Sequence, residues 1–283
     1  MPSLRTLLIL GRTSNLPTVW SNCLAGWWLG GGGNYYKLPA LLVGATLLYI
    51  GGMFLNDAFD AEFDAQHRRE RPIPSGAIAV EQVWRIGFGL LAAGLIAFFM
   101  DGIVTGILGI FLVICILIYD AIHKVFLPSP VLMAACRFFL YVAACSTAKF
   151  GVTGWAVWCG FALAAYIVGL SFLARKEATR NEPAIWPCFF LSAPIILAFM
   201  MNMASFRQNA LLLSAAVGLW AVRALRYAFS SVDRNIGRTI SALLAGIVLV
   251  DLLAVADVPH SFAWVFIGLF LLALLFQRFV PAT

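Results

Sequence analysis

The chain has 283 residues, of which 62% are hydrophobic and 11% charged, and its mean hydropathy is +0.93. Soluble domains carry about 25% charged residues, so a water-soluble globular protein is excluded and an all-α, polytopic membrane bundle is expected. The net charge of +6 is spread through short loops between apolar runs, which is the pattern of membrane topology and not of a nucleic-acid footprint; no nucleic-acid partner is expected.

Met1 to Arg12 holds one short apolar run without a following A-x-A site, so no cleavable signal peptide is read there. Beyond it, runs of about 20 apolar residues are placed near 14–32, 38–58, 79–100, 103–120, 130–148, 153–173, 185–204, 208–229, 238–256 and 260–279. The positive-inside rule tests this division. With the N-terminus in the cytoplasm, fifteen Lys and Arg fall on the inner side and three (Lys37, Lys149, Arg207) on the outer, while Arg137 lies within a span. Trp27, Trp28, Tyr35, Tyr36, Trp155 and Trp158 sit near span ends, where interfacial aromatics belong. The six cysteines stand singly in apolar segments with no C-x-x-C pair, and read as small core residues. The expectation is a multi-pass protein of a bacterial inner membrane or an organelle membrane, a single transmembrane domain over 1–283, with its informative loops on the cytoplasmic side.

The second span runs straight into Asn56-Asp57-Ala58-Phe59-Asp60-Ala61-Glu62-Phe63-Asp64, followed by Arg68-Arg69-Glu70-Arg71-Pro72. If the helix continues, Asn56, Asp60 and Asp64 fall within roughly 80° of one another, with Asp57 about 20° further round. That is a wall of oxygen ligands at a helix mouth. Carboxylates this crowded need a cation or a basic partner, and oxygen ligands without His or Cys favour a hard ion, Mg²⁺ first. The plainer alternative is a solvated acidic cap.

A shift of 117 residues lays Tyr49-Ile50-x-Gly52 on Tyr166-Ile167-x-Gly169, Asp60 on Glu177 and Asp64 on Asn181. Both copies end an apolar span and open a charged loop (56–78 and 173–184), so two pseudo-repeated halves are expected. Two ligand walls flanked by Arg68, Arg71, Arg175 and Lys176 suit a polyanion held through Mg²⁺; within a membrane that polyanion is a diphosphate with a lipid tail. Metal ligands are then read as Asn56, Asp57, Asp60, Asp64, Glu177 and Asn181.

These residues carry a family resemblance. Asn56-x-x-x-Asp60-x-x-x-Asp64, with Asp57, resembles the first aspartate-rich motif of the UbiA superfamily of intramembrane prenyltransferases. Arg71-Pro72-Ile73-Pro74-Ser75-Gly76 is similar to the segment that follows it there, Tyr119-x-x-x-x-Lys124 to the Tyr and basic residue ending the fourth helix, and Arg12, Asn15 and Asn22 to polar residues of the first helix. The resemblance implies nine to ten helices around a central cavity, Mg²⁺, and transfer of a prenyl group from a prenyl diphosphate to a small acceptor, aromatic or other, with Asp60, Asp64 and Tyr119 as catalytic residues. The chain departs from the family in two ways. The second motif offers Glu177-x-x-x-Asn181 in place of two aspartates, and ten spans are counted where nine are common. Two other functions stay open: phosphoribosyl transfer to a polyprenyl phosphate, and a non-catalytic lipid-diphosphate binding or transport protein.

Other polar residues keep two readings each. Lys124 is a phosphate ligand or a positive-inside anchor. Arg137, about seven residues into a span, serves the diphosphate or an internal ion pair, or snorkels. Asn15 and Asn22 share a helix face and bind acceptor or glue helices. Asp120 is a candidate base. Asp251 pairs with a basic residue or hydroxyl. His67, His123 and His260 lack zinc-ligand spacing.

Overall fold

The computed structural model describes residues 2–179, 185–201, 204–229 and 235–282, the side chains of 176–179 and 204–205 excepted. Its described regular elements are helices: α1 (Leu4–Leu10), α2 (Leu16–Leu29), α3 (Leu38–Phe59), α4 (Ala61–His67), α5 (Val80–Asp101), α6 (Ile103–Ile122), α7 (Ser129–Ser146), α8 (Gly154–Thr179), α9 (Trp186–Phe190), α10 (Ala193–Met200), α11 (Ala204–Phe229), α12 (Ile236–Ala254) and α13 (His260–Phe276). Proline stands in the first turn of α2, α3 and α7, where its fixed φ suits a helix start and its missing N–H costs nothing.

Among the described residues, seven helices are long and apolar enough to cross a membrane, and two shorter apolar stretches, Trp186–Met200 and His260–Phe276, accompany them. The single span expected over 185–204 is instead two short helices. Pro194 cannot bond back to the carbonyl of Phe190 and its ring crowds that position, so α9 ends at Phe190 and a turn intervenes before α10. Helix α2 is only 14 residues long but is the bundle's inner post, with ten of those residues buried. It packs against α3, α7, α12 and α13.

Two large apolar clusters lie on either side of α2. One gathers Val19, Cys23, Leu48, Leu91, Phe98 and Leu112 from α2, α3, α5 and α6. The other gathers Tyr166, Leu163, Phe206, Leu243, Ile247 and Phe266 from α8, α11, α12 and α13. Helix α7 contributes to both, and the division follows the two halves read from the internal repeat. The two matched tyrosines do similar work: the Tyr166 hydroxyl donates to the Leu243 carbonyl at 2.9 Å and the Tyr49 hydroxyl to that of Arg12 at 3.4 Å.

In lipid, helices associate through close packing more than through the hydrophobic effect, which favours small residues where backbones meet. Helices α3 and α5 meet at two glycine pairs. A Cβ on Gly51 would lie 3.0 Å from the Gly87 carbonyl oxygen, and one on Gly94 would lie 2.9 Å from that of Gly44. These pairs fix how α3, the helix that delivers the acidic stretch, sits in the bundle. Gly94→Val is expected to lower stability by about 1–3 kcal/mol through overpacking, read as an earlier thermal transition in detergent; Gly89→Val, where a Cβ meets nothing within 4 Å, is the control.

Candidate functional site

The helix carrying the acidic stretch bends but does not unravel. Helix α3 ends at Phe59 and α4 starts at Ala61, yet Asp60 N–H still donates to the Asn56 carbonyl at 3.0 Å and Asp64 N–H to that of Asp60 at 2.9 Å. Asn56, Asp57, Asp60 and Asp64 are all buried, at 1–7% exposure. Charges this enclosed need partners, and basic residues from three other segments supply them.

Arg12 donates to Asn56 Oδ1 at 3.2 Å and to Asp57 Oδ1 at 3.3 Å. Arg71 bridges Asp57 at 3.2 Å and Asp64 at 3.0 Å. Lys124 Nζ lies 2.8 Å from Asp60 and 3.8 Å from the centre of the Phe63 ring, while His123 Nε2 stands 3.5 Å from the same carboxylate. The wall therefore splits: Asn56, Asp57 and Asp64 face the two arginines, and Asp60 faces the end of α6. A straight helix would keep Asn56, Asp60 and Asp64 on one face; the split falls where α3 ends at Phe59 and α4 begins at Ala61. Burial alone would raise the Asp60 carboxyl, but hydrogen bonds from His123 and Lys124 outweigh it and hold the group below its ordinary value. For Arg12, burial acts to lower the guanidinium value and the charge of Asp57, with others nearby, more than restores it, so the net shift is upward.

Local structure explains how the basic residues arrive. Arg71 opens a compact turn in which Ser75 N–H donates to the Arg71 carbonyl and Gly76 N–H to that of Ile73, both at 3.0 Å; Gly76 closes it at φ +77°, a conformation that favours glycine. Ile73 then packs on the cluster of Leu10, Phe54, Ala58, Ile78 and Val83 beneath the site. Arg12 holds φ +40°, and among the described residues no other non-glycine has positive φ. Such a backbone costs of order 1–3 kcal/mol and persists where the surroundings impose it; here Asn56, Asp57 and Tyr49 hold the residue on both its side chain and its carbonyl.

At the end of α6, Asp120 accepts from Asn56 Nδ2 at 3.0 Å, and the Tyr119 ring stacks on His123 at 5.0 Å. Tyr119 thus borders the site through His123. Arg175 is turned elsewhere and donates to the carbonyls of His123 (3.3 Å), Phe126 (3.2 Å) and Leu127 and to Ser129 Oγ (3.4 Å). Its guanidinium clamps the loop that carries Lys124, so a direct contact with phosphate is not what this geometry offers. Arg68 sits half-buried at the C-terminus of α4 and forms no ion pair among the described residues. The side chains of Lys176 and Glu177, and Asn181 as a whole, lie outside the described part of the structure.

Asn22 and Arg137 belong to a second polar group deeper in the bundle. Asn22 accepts from Arg137 at 2.8 Å and donates to Asp251 at 2.7 Å; Thr18 also accepts from Arg137 at 3.1 Å, and Ser21 donates to Asp251. Asn22 is completely buried, which favours the helix-joining reading over contact with an acceptor. Arg137 also lies 5.8 Å over the Tyr49 ring, so this network and the acidic site share α3. Asn15 donates to the Ala282 carbonyl at 2.9 Å, tying the start of α2 to the end of the chain.

The donor set suits a hard divalent cation. Asp64 Oδ1 and Asp120 Oδ2 are buried carboxylate oxygens without a hydrogen-bond partner, the kind of acceptor a metal satisfies. The side chains do not form a finished cage: among the described residues no three His, Cys, Asp or Glu converge on one point. By spacing alone, Arg12 groups with the polar residues of the first helix and His123 has no zinc-ligand partner. The part these two play in the acidic site leaves one trace in the sequence, His123 lying four residues after Tyr119 and beside Lys124.

A helical bundle with several apolar spans and a buried site of acidic and basic side chains at one end is an integral, multi-pass membrane protein. Residues 15–282 match the UbiA prenyltransferase family, and the chain belongs to it. Two similar proteins are the digeranylgeranylglyceryl phosphate synthases of Sulfolobus acidocaldarius, 39% identical over 85 residues (30% of each chain), and of Ignicoccus hospitalis, 36% identical over 103 residues (36% of this chain, 34% of the relative). The match thus spans about a third of the length of those relatives. In fold, the chain resembles a UbiA homologue from Archaeoglobus fulgidus bound to GPP and Mg²⁺, with a TM-score of 0.67 and 14% identity over 94% of this chain and 99% of that one.

Proposed function

We propose that this protein transfers a prenyl group from a prenyl diphosphate to a membrane-borne acceptor, releasing pyrophosphate, and that one domain over 1–283 performs the reaction. The observation that carries the reading is the buried meeting of Asp57, Asp60 and Asp64 with Arg12, Arg71, His123 and Lys124 at one end of an apolar bundle. Each of these four side chains faces a carboxylate here; with a divalent metal on the carboxylates, the guanidinium groups of Arg12 and Arg71 and the ammonium of Lys124 would be free to meet phosphate oxygens. Asp60, Asp64 and Asn56 would hold Mg²⁺ with Asp57 beside them, and Glu177 and Asn181 would serve from the second half. When bound, that ion supplies charge neutralisation that makes pyrophosphate a better leaving group.

The chain's own residues do the rest. Lys124, Arg71 and Arg12 bind and orient the diphosphate, and Arg68, in no ion pair among the described residues, adds a further cation. The allylic C–O bond breaks with its electron pair leaving on pyrophosphate. A nucleophilic oxygen or carbon of the acceptor closes the new bond and gives up its proton, for which Asp120, with its unpartnered Oδ2, is the candidate base. Tyr119 and His123 exclude water beside it.

An acceptor of the glyceryl phosphate type is favoured over an aromatic one, on the names of the relatives above. The acidic end faces the cytoplasm, supported by the distribution of Lys and Arg. The test is pyrophosphate release by purified protein given prenyl diphosphates or phosphoribosyl diphosphate, with glyceryl phosphate lipids or aromatic acids as acceptors, in Mg²⁺ or EDTA. Release from a prenyl donor that needs both Mg²⁺ and the lipid is expected; release from phosphoribosyl diphosphate alone would replace the donor assignment.

A further inference from the structure

Away from the acidic site, α11, α12 and α13 enclose a cleft of about 380 Å³ whose rim carries Arg223, Arg238 and Arg278. None of these helices supplies a side chain to the acidic site described above. The three arginines come from α11, from α12 and from the turn that follows α13, at positions far apart in the chain, so helical spacing alone does not explain their meeting. Arg223, Arg238 and Arg278 are exposed, so solvent weakens their mutual repulsion, and an anion between them would relieve it further. Among the described residues no Asp or Glu lines the cleft, and no carboxylate pairs with any of the three.

The cleft is built on a firm floor. Trp220 Nε1 donates to the Ala242 carbonyl at 2.8 Å and Gln277 Nε2 to that of Ser241 at 3.0 Å, stitching α11 and α13 to α12. Two of the guanidinium groups are set against aromatic faces, Arg238 at 4.2 Å over Tyr227 and Arg223 at 5.6 Å over Trp220. Stacked guanidinium groups keep their N–H edges directed outward, where planar forks suit phosphate oxygens. Beside the lining residues along α11 and α13, Leu219, Val222, Leu271 and Leu275 are exposed, between 46% and 72% accessible. Those positions face hydrocarbon in a membrane protein. A phosphate in the cleft would therefore have an acyl or isoprenoid tail directly beside it.

The cleft also lies at the bundle end that holds the acidic site. The chain leaving α13 returns to the start of α2, where Ser14 donates to the Pro281 carbonyl at 3.3 Å and Asn15 to that of Ala282 at 2.9 Å. Arg278 and Arg12 thus belong to the same rim of the protein. Basic pockets between membrane helices at that level are sites for anionic headgroups.

We propose that this cleft binds the phosphate of an anionic membrane lipid, separately from the site of prenyl transfer. Free phosphate or pyrophosphate shares the same chemistry, and the test separates the sources. Native mass spectrometry is run on detergent-purified protein offered phosphatidylglycerol, phosphatidylcholine, inorganic phosphate or pyrophosphate. The wild type is expected to retain phosphatidylglycerol in preference to phosphatidylcholine. The triple variant Arg223→Gln/Arg238→Gln/Arg278→Gln is expected to hold it about a hundredfold more weakly. Lys149→Gln, beyond the opposite end of α7, should leave retention unchanged. If the triple variant does not yield folded protein, Arg278→Gln alone is read in the same assay and is expected to lose retention in part. Equal retention by wild type and variants overturns the proposal, and arginine-dependent retention of pyrophosphate without phosphatidylglycerol overturns the lipid as occupant.

Discussion

Asp60→Asn is expected to lower pyrophosphate release about a hundredfold or more, with the bundle still folded. The substitution keeps the shape of the side chain and removes its charge. Asp60 is the one carboxylate of the stretch that faces α6, 2.8 Å from Lys124 and 3.5 Å from His123, so its loss cuts the link between the acidic stretch and the Tyr119–Lys124 segment. A neutral amide is also a poorer ligand for a hard cation, and the Mg²⁺ concentration needed for half-maximal rate should rise with the fall in turnover. Glu62→Gln is the matched control, because Glu62 is exposed in the first turn of the short helix that follows Asp60. Wild-type turnover by Asp60→Asn would remove the basis for a metal-held diphosphate at this site.

Asn22→Leu is expected to cost about 3 kcal/mol or more of stability, far beyond an average interhelical hydrogen bond in a membrane. One amide here serves two charged groups at once, accepting from Arg137 and donating to Asp251, and it has no access to solvent. Leucine keeps the branching of the side chain and leaves a guanidinium and a carboxylate short of partners between α2, α7 and α12. Thr18→Val removes only one acceptor from Arg137, which keeps Asn22, and should cost about 1 kcal/mol. Unfolding of the detergent-solubilised variants, followed by tryptophan fluorescence, separates the two. Adding Arg137→Leu and Asp251→Leu to Asn22→Leu should regain part of the loss, because unpaired buried charge costs more than apolar contact. An unchanged transition for Asn22→Leu would mean that the network does not hold the halves together.

Several features of the site are legible in spacing. Asn56, Asp57, Asp60 and Asp64 lie close along one helix end, and a group of carboxylates at the end of an apolar span needs cations whatever its surroundings. Arg71 lies seven residues from Asp64, within a turn rich in proline and glycine, and Lys124 closes a span. The partners that complete the set are harder to see. Arg12 reaches Asn56 and Asp57 across more than forty positions of chain, and His123 reaches Asp60 across more than sixty. No periodicity encodes such pairings, because they depend on how α1, α3 and α6 pack. The same limit applies to Arg175. Its sequence neighbours are basic, which suggests a phosphate ligand, but its position opposite the turn after α6 makes it a donor to backbone carbonyls.

Hydropathy and local spacing suffice for the membrane class, the helical architecture, the place of the apolar runs and the stretch where the chemistry gathers. They suffice because lipid forces each backbone polar group to be satisfied within its own helix. Packing between helices settles what remains: which basic residue meets which carboxylate, that Asn22 joins Arg137 to Asp251, and that three distant arginines share a cleft. Most of these outcomes depend on close approach between helices, set by the glycine contacts of α3 and α5 and the burial of α2, and a distance in space has no counterpart in the period of a sequence.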